Sequence, residues 1–248
     1  MTTSSALITG AASGVGAALA KIACAEFDHL YLLDLNLEGL ALLATHLRDE
    51  CSFVRFTLLH GSVASSDYID DVFRQIDGSD QTLLAVFHCA SILRGDGGLV
   101  MASEMPDTDW ENIIDVNLTG AFIVSKFALR TFATFKTHGD IILFGSSSAT
   151  AAPALDAAYA ASKAGVVALA DSLNDEVMRS GIRVQCISPD AVDTPIWDQN
   201  FNVLPRPPHM ISAESVADIA LRMTKLPRDA YVRNLQVYPI KKRKSKRA

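Results

Sequence analysis

The chain has 248 residues, 49% hydrophobic and 20% charged, a composition for a packed α/β domain rather than a disordered chain. Its net charge of −6 argues against nucleic acid as the main partner, and no apolar run in the sequence approaches the ~20 residues of a membrane span. The four cysteines, Cys24, Cys51, Cys89 and Cys186, make no C-x-x-C and are expected to be free thiols in a reducing compartment. Met1 leads through T-T-S-S straight into a strand, with no basic n-region or cleavage site, so no signal peptide is expected and a cytoplasmic location follows.

Ala6 to Thr9 is a short buried strand, followed at once by Gly10-Ala-Ala-Ser13-Gly14-Val15-Gly16. A helix then carries Val15, Ala18, Leu19, Ile22 and Ala23 on one face. Strand, glycine turn and helix are the context of a dinucleotide fingerprint: backbone N–H groups approach a pyrophosphate where no Cβ intrudes, and the helix N-terminus faces its charge. The second strand, Leu30 to Leu33, ends at Asp34, eighteen residues after Gly16. A carboxylate there can hold both adenosine ribose hydroxyls and would repel a 2′-phosphate, and Ser13 and Leu35 offer no basic group to receive one. NAD is therefore expected over NADP. The bland reading of Asp34 is a cap for the helix with Leu40, Leu43 and Leu47.

A third strand near Val54 to Leu59 leads to Gly61-Ser62-Val63 and a helix with Ile69, Val72, Phe73 and Ile76 on one face. The fourth strand, Leu83 to Phe87, ends at His88-Cys89-Ala90-Ser91, where His88 reads as a packed, hydrogen-bonded histidine. A glycine-rich loop and a long helix from about Asp109 to Phe135, containing Asn117, follow. The fifth strand, Ile141 to Phe144, runs into Gly145-Ser146-Ser147-Ser148. A further helix, the strand Arg183 to Ile187, the turn Ser188 to Pro195, a helix near Ala213 to Leu226 and a last strand Leu235 to Tyr238 complete the body. This alternation predicts an α/β fold, a single Rossmann-type doubly wound parallel β-sheet with helices on both faces, over residues 1–240. Residues 241–248, six of them basic, read as a solvated, disordered tail.

The stretch A-A-Y-A-A-S-K-A-G places Tyr159 and Lys163 at i and i+4, on one face of a helix. A phenol ordinarily ionises near ~10, and an adjacent ammonium favours the phenolate. Such a pair can move a proton at a substrate oxygen while a hydride moves at carbon.

With these residues in hand the chain resembles a classical short-chain dehydrogenase/reductase from Thr9 to Pro239. T-G-A-A-S-G-V-G over 9–16 matches that family's glycine motif, and Asn117, Ser146, Tyr159 and Lys163 match its catalytic tetrad. Ser146 stands thirteen residues before Tyr159, and Ser147 is close enough for a loop insertion to reassign the role. The resemblance implies that Tyr159 is the general acid/base, that Lys163 lowers its pKa and binds the nicotinamide ribose, that Ser146 holds the substrate oxygen, and that Asn117 anchors a water leading from Lys163 to solvent. It also implies cofactor contacts from Gly10, Ser13, Gly14, Val15, Gly16, Asp34, Ser62, Val63, Ala90, Val192 and Thr194, with no metal ligands. The chain departs from the family at His88-Cys89-Ala90-Ser91, at Ser62, and at Pro189-Asp190, where a proline-glycine is usual. One expectation is that the Asp190 carboxylate favours the oxidised, cationic cofactor. The segment Leu226 to Pro239 lacks a glycine-ending tail and is similar to a branch that includes broad hydroxy-acid and serine dehydrogenases.

The expected activity is an NAD-dependent interconversion of a secondary alcohol and a ketone, the alternative being a catalytically weak dinucleotide-binding or sensing protein. A serine hydrolase is excluded because Gly145 to Ala149 is G-S-S-S-A, not G-x-S-x-G. Ile196 to Met210 is expected to cover the pocket with Trp197, Phe201, Leu204 and Met210, and Arg94 and Arg206 are candidates for a substrate carboxylate. Apolar residues on the helices of Asn117 and Tyr159 (Phe122, Val124, Phe127, Leu129, Phe132, Val166, Val167, Leu169, Leu173) are expected, by resemblance, to pair subunits into a homodimer or homotetramer. The partner is a small-molecule alcohol or ketone, with neither membrane nor nucleic acid.

Overall fold

Continuous apolar runs become strands buried on both faces, as parallel sheets covered by helices require. The computed structural model describes residues 3–96, 98–201 and 206–240, with the backbone alone at 199–201. β1 (Thr3–Thr9) lies between β2 (His29–Asp34) and β4 (Gln81–His88), and β3 (Arg55–His60) extends the sheet beyond β2. β5 (Asp140–Phe144) and β6 (Arg183–Pro189) continue it on the other side. β7 (Val192–Asp193) and β8 (Ile211–Ser212) form a separate small parallel pair, and β9 (Asn234–Val237) is the edge strand beside β6. The sheet order is 3-2-1-4-5-6-9, parallel throughout. The α/β doubly wound sheet read from the alternation is the observed architecture. β1 starts earlier than the apolar run suggests, because Thr3 to Ser5 pair with Gln81 to Leu83.

Strand side chains alternate between two cores, the period-2 rule. Ala6, Ile8, Leu30 and Leu32 meet α1 (Gly14–Ala23), α2 (Leu37–Glu50) and α7 (Ala213–Met223) on one face. Leu7, Tyr31, Leu33, Ile141 and Leu143 meet α3 (Ser66–Asp77), α5 (Gly120–Phe135) and α6 (Ala157–Val177) on the other. The order reverses between β1 and β4, so Thr9 and His88 end side by side at the sheet's carboxyl edge, where open α/β sheets form their crevice.

The long stretch after the glycine loop is not one regular helix. α4 (Asp107–Ile114) passes through a π turn at Asp115–Thr119 before α5, and Asn117 is in that turn. By length and composition 107–135 could cross a membrane, yet half of its apolar window is buried inside this fold, which accounts for that hydropathy. The same burial corrects the expected subunit faces. Val124, Phe127, Phe132, Val166 and Leu173 are buried in the chain's own core, Leu129, Val167 and Leu169 are half-buried against it, and only Phe122 of that set is exposed.

Arg183 ties the C-terminal part to the sheet. It makes a two-pronged, buried ion pair with Asp140 (2.6 and 3.1 Å) and donates to the carbonyls of Thr224, Leu226, Pro227 and Ala230. Arg228 donates to the same carboxylate at 2.9 Å. This clamp fixes the turn between α7 and β9.

Candidate active site

Gly10 (φ +66°) and Gly14 (φ +53°) adopt the left-handed backbone that glycine takes without strain. A Cβ on Gly10 would lie 2.7 Å from the Ala90 amide nitrogen, and one on Gly14 3.1 Å from Thr194 Cγ2. Ser13 enters α1 with extended backbone and no side-chain cap, which leaves the first helical N–H groups to a ligand. Gly10, Ser13, Gly14, Val15, Gly16, Asp34, Ser62, Val63, Ala90 and Thr194 all line one cleft of about 390 Å³. The uncapped N–H groups at the start of α1, beside a turn that has no room for side chains at Gly10 and Gly16, fit the pyrophosphate of a dinucleotide. Val192, Tyr159 and Lys163 instead line an adjoining cavity of about 450 Å³, which shares Val15, Cys89, Ser91, Thr194 and Ile196 with the cleft.

The Asp34 carboxylate accepts hydrogen bonds from the Ala12 amide (2.9 Å) and the Asn36 amide (2.8 Å). It is thus oriented by the glycine turn itself, and the capping of α2 is done by Asn36, which accepts from Gly39 at 3.0 Å. Among the described residues, no lysine or arginine lines the cleft.

Ser146, Tyr159 and Lys163 face the second cavity together. Ser146 is buried at the end of β5, and its Oγ accepts from the Ser148 amide at 3.1 Å. Lys163 is buried and its Nζ donates to the Phe144 carbonyl at 2.8 Å, 5.7 Å from the centre of the Tyr159 ring. Burial pushes the Tyr159 phenol up to about 12; the Ser146 hydroxyl draws it down and Asp156 raises it further. Burial likewise pushes Lys163 down to about 8. In the protein's own field desolvation outweighs the factors that favour the phenolate, and the Lys163 ammonium is turned to a carbonyl.

Asn117 lines neither cavity. Its Oδ1 accepts from the Ile92 amide (2.8 Å) and Ser91 Oγ (3.1 Å), while Nδ2 donates to the Ile92 carbonyl (2.8 Å) and Ser162 Oγ (3.0 Å). Ser162 in turn donates to the Tyr159 carbonyl at 2.8 Å. The π turn thus lets one buried amide stitch the loop after β4 to the Tyr159 turn of α6, a role that sequence spacing did not reveal. His88 is packed as expected: its Nδ1 is 3.1 Å from Thr9 Oγ1, and burial with nearby Lys163 pushes it down to about 3.

Neither candidate for a substrate carboxylate is placed for that task. Arg94 is buried in an ion pair with Asp156 (3.0 Å), and Arg206 bridges Asp193 and Asp198 (2.6 Å each). Of the covering segment, Trp197 lines the cavity and anchors itself by donating to the Val192 carbonyl at 2.8 Å, whereas Met210 does not line it. The Phe201 side chain and Leu204 lie outside the described residues. Asp190, one of the departures, makes a contact that residue spacing does not foretell: Ser147 Oγ donates to its Oδ1 at 2.7 Å, inside the same cavity.

A family model described as short chain dehydrogenase matches residues 4–203. The chain is 34% identical over 192 residues to tropinone reductase-like 1 of Erythroxylum coca, covering 77% of this chain and 68% of that protein. It is 34% identical over 185 residues to tropinone reductase-like 2 of the same plant, covering 74% and 65%, so it spans about two thirds of each. An uncharacterised oxidoreductase of Staphylococcus epidermidis is 27% identical over 239 residues, covering 95% and 96%. Among solved structures, a short-chain dehydrogenase from Sphingobium yanoikuyae in complex with NADPH superposes with a TM-score of 0.80 at 26% identity, covering 94% of this chain and 87% of that one. Levodione reductase superposes at 0.84 with 21% identity, covering 94% and 95%, a likeness of fold alone.

Proposed function

Because the chain belongs to the short-chain dehydrogenase family, a family of oxidoreductases that bind a nicotinamide dinucleotide, we propose that it interconverts a secondary alcohol and a ketone, with NAD as its preferred cofactor. The observation that carries this reading is the convergence of Ser146, Tyr159 and Lys163 on a cavity that opens into the glycine-built cleft. When bound, the dinucleotide supplies or takes the hydride and, oxidised, adds a cationic ring beside the tyrosine. Gly10, Ser13, Gly14, Val15 and Gly16 would hold its pyrophosphate, Asp34 its adenosine ribose, Ser62, Val63 and Ala90 the adenine side, and Val192 and Thr194 the carboxamide.

In reduction, Tyr159 is protonated at neutral pH and gives its proton to the carbonyl oxygen. Ser146 donates a hydrogen bond to that oxygen as charge develops on it. Lys163 replenishes the proton and binds the nicotinamide ribose. Asn117 acts as a positioning residue, since its side chain holds the Tyr159 turn and has no donor left for a ligand. NAD preference is supported by the anchored Asp34 carboxylate and by the lack, among the described residues, of a lysine or arginine lining the cleft. A homodimer or homotetramer and a cytoplasmic setting complete the reading, with exposed Phe122 and Phe135 as apolar surface on α5.

The test is a fluorescence titration with NADH and, separately, NADPH, followed by an alcohol screen on the native chain and Tyr159→Phe. NADH is expected to bind at least tenfold more tightly than NADPH. Tyr159→Phe is expected to retain NADH affinity while turnover falls by about 10²–10⁴. Intact turnover in that variant would remove Tyr159 as the acid/base, and NADH binding with no turnover by the native chain would leave only the second reading, a dinucleotide-binding protein without this chemistry.

A further inference from the structure

We infer that Asp190 selects the substrate class: a ketone, or its alcohol, that also carries a protonated amine. The inference rests on the alcohol–ketone reading of the site. Asp190 follows β6 directly and lines the cavity that also holds Tyr159 and Ser146. Its Oδ1 accepts from Ser147, the residue next to Ser146, so the carboxylate is tethered one Cα step (~3.8 Å) along the chain from the serine that faces the reacting oxygen. Its backbone N–H donates to the Val237 carbonyl at 2.8 Å, which fixes the turn from which the side chain projects. Oδ2 accepts no hydrogen bond from the described residues.

Among the described residues, no cation pairs with this charge. Arg94 is paired with Asp156, and Arg206 with Asp193 and Asp198. Lys163 is turned to the Phe144 carbonyl, and His209, which also lines the cavity, is exposed. A carboxylate in a largely apolar cavity, met by one hydroxyl, is stabilised most by a ligand that brings a positively charged donor. The same charge excludes acids: with both candidate arginines occupied, a substrate carboxylate would meet like charge.

The experiment uses three ring ketones of one shape at pH 7, with the cofactor that binds in a parallel titration. These are 1-methyl-4-piperidone (cationic), 4-methylcyclohexanone (neutral) and 4-oxocyclohexanecarboxylate (anionic). The native chain is expected to favour the cation over the neutral ketone about tenfold in kcat/KM, equivalent to ~1.4 kcal/mol, and the anion least. Asp190→Asn, which keeps an acceptor for Ser147, is expected to bring the cation-to-neutral ratio to about one. Ser147→Ala, which releases the tether, is expected to lower it by about two- to threefold. An unchanged ratio in Asp190→Asn, a native preference for the neutral or anionic ketone, or binding of none of the three overturns the inference while cofactor binding leaves the wider reading in place. A change confined to the relative affinities of NAD+ and NADH would assign the carboxylate to the nicotinamide and also overturn it. Failure to bind either cofactor removes the wider reading first, and this one with it.

Discussion

Replacing Lys163 with methionine is expected to abolish turnover and to stabilise the fold. An ordinary lysine ionises at 10.5, and burial holds this one near about 8, so keeping it protonated at pH 7 costs about 3 kcal/mol. Methionine has similar length and no charge, but it loses the donor to the Phe144 carbonyl, a bond worth about 1 kcal/mol. The net gain is about 2 kcal/mol, or roughly 4–8 °C in Tm for a chain of this size. The pH dependence follows from the sign. Between about 8 and 10.5 the unfolded lysine still binds a proton that the native one has released, so native stability gains with pH across that window. The advantage of Lys163→Met is therefore full below about pH 8 and fades towards 10.5. Urea unfolding at pH 7, 8, 9 and 10, followed by the fluorescence of Trp110 and Trp197, measures it. A variant less stable than native at pH 7, or a gap that widens between pH 8 and 10, would refute the reasoning.

Asp34→Asn keeps an acceptor for one of its two amide partners and removes the charge that opposes a 2′-phosphate. The ratio of NADPH to NADH dissociation constants is expected to fall at least tenfold, with about 1 kcal/mol of stability lost; a ratio that does not move sinks the ribose assignment. Arg183→Met leaves Asp140 buried and four carbonyls without their donor. A loss of about 3–5 kcal/mol is expected in urea unfolding, and a loss under 1 kcal/mol would show that Arg228 suffices as partner.

Features written locally in the chain were legible before the structure. The glycine turn, Asp34 at the end of β2 and the Tyr159–Lys163 spacing lie within single strand–turn–helix units, where periodicity and backbone sterics fix placement. Direction was not legible: i,i+4 spacing puts Lys163 on the face of Tyr159, but only β5 packing beneath α6 turns its Nζ to Phe144. Apolar residues on α5 and α6 read the same whether they face a partner or the chain's own sheet, and burial decided for the sheet at Val124, Phe127 and Phe132. Contacts across the register were invisible too. Ser147 and Asp190 are 43 residues apart and meet because β5 and β6 end side by side. Arg183 looked like an ordinary strand residue until its carbonyl partners converged from the segment after α7.

The edge strand β9 is paired on one side only, through four register partners, and such strands open at lower free energy than central ones. One of its carbonyls, that of Val237, holds the amide of Asp190. Wear at the rim of the sheet therefore reaches the cavity wall through a single peptide, so fraying and selectivity are one mechanical quantity. A mutation on the far side of β9 that never approaches the tyrosine can change which molecules the cavity admits.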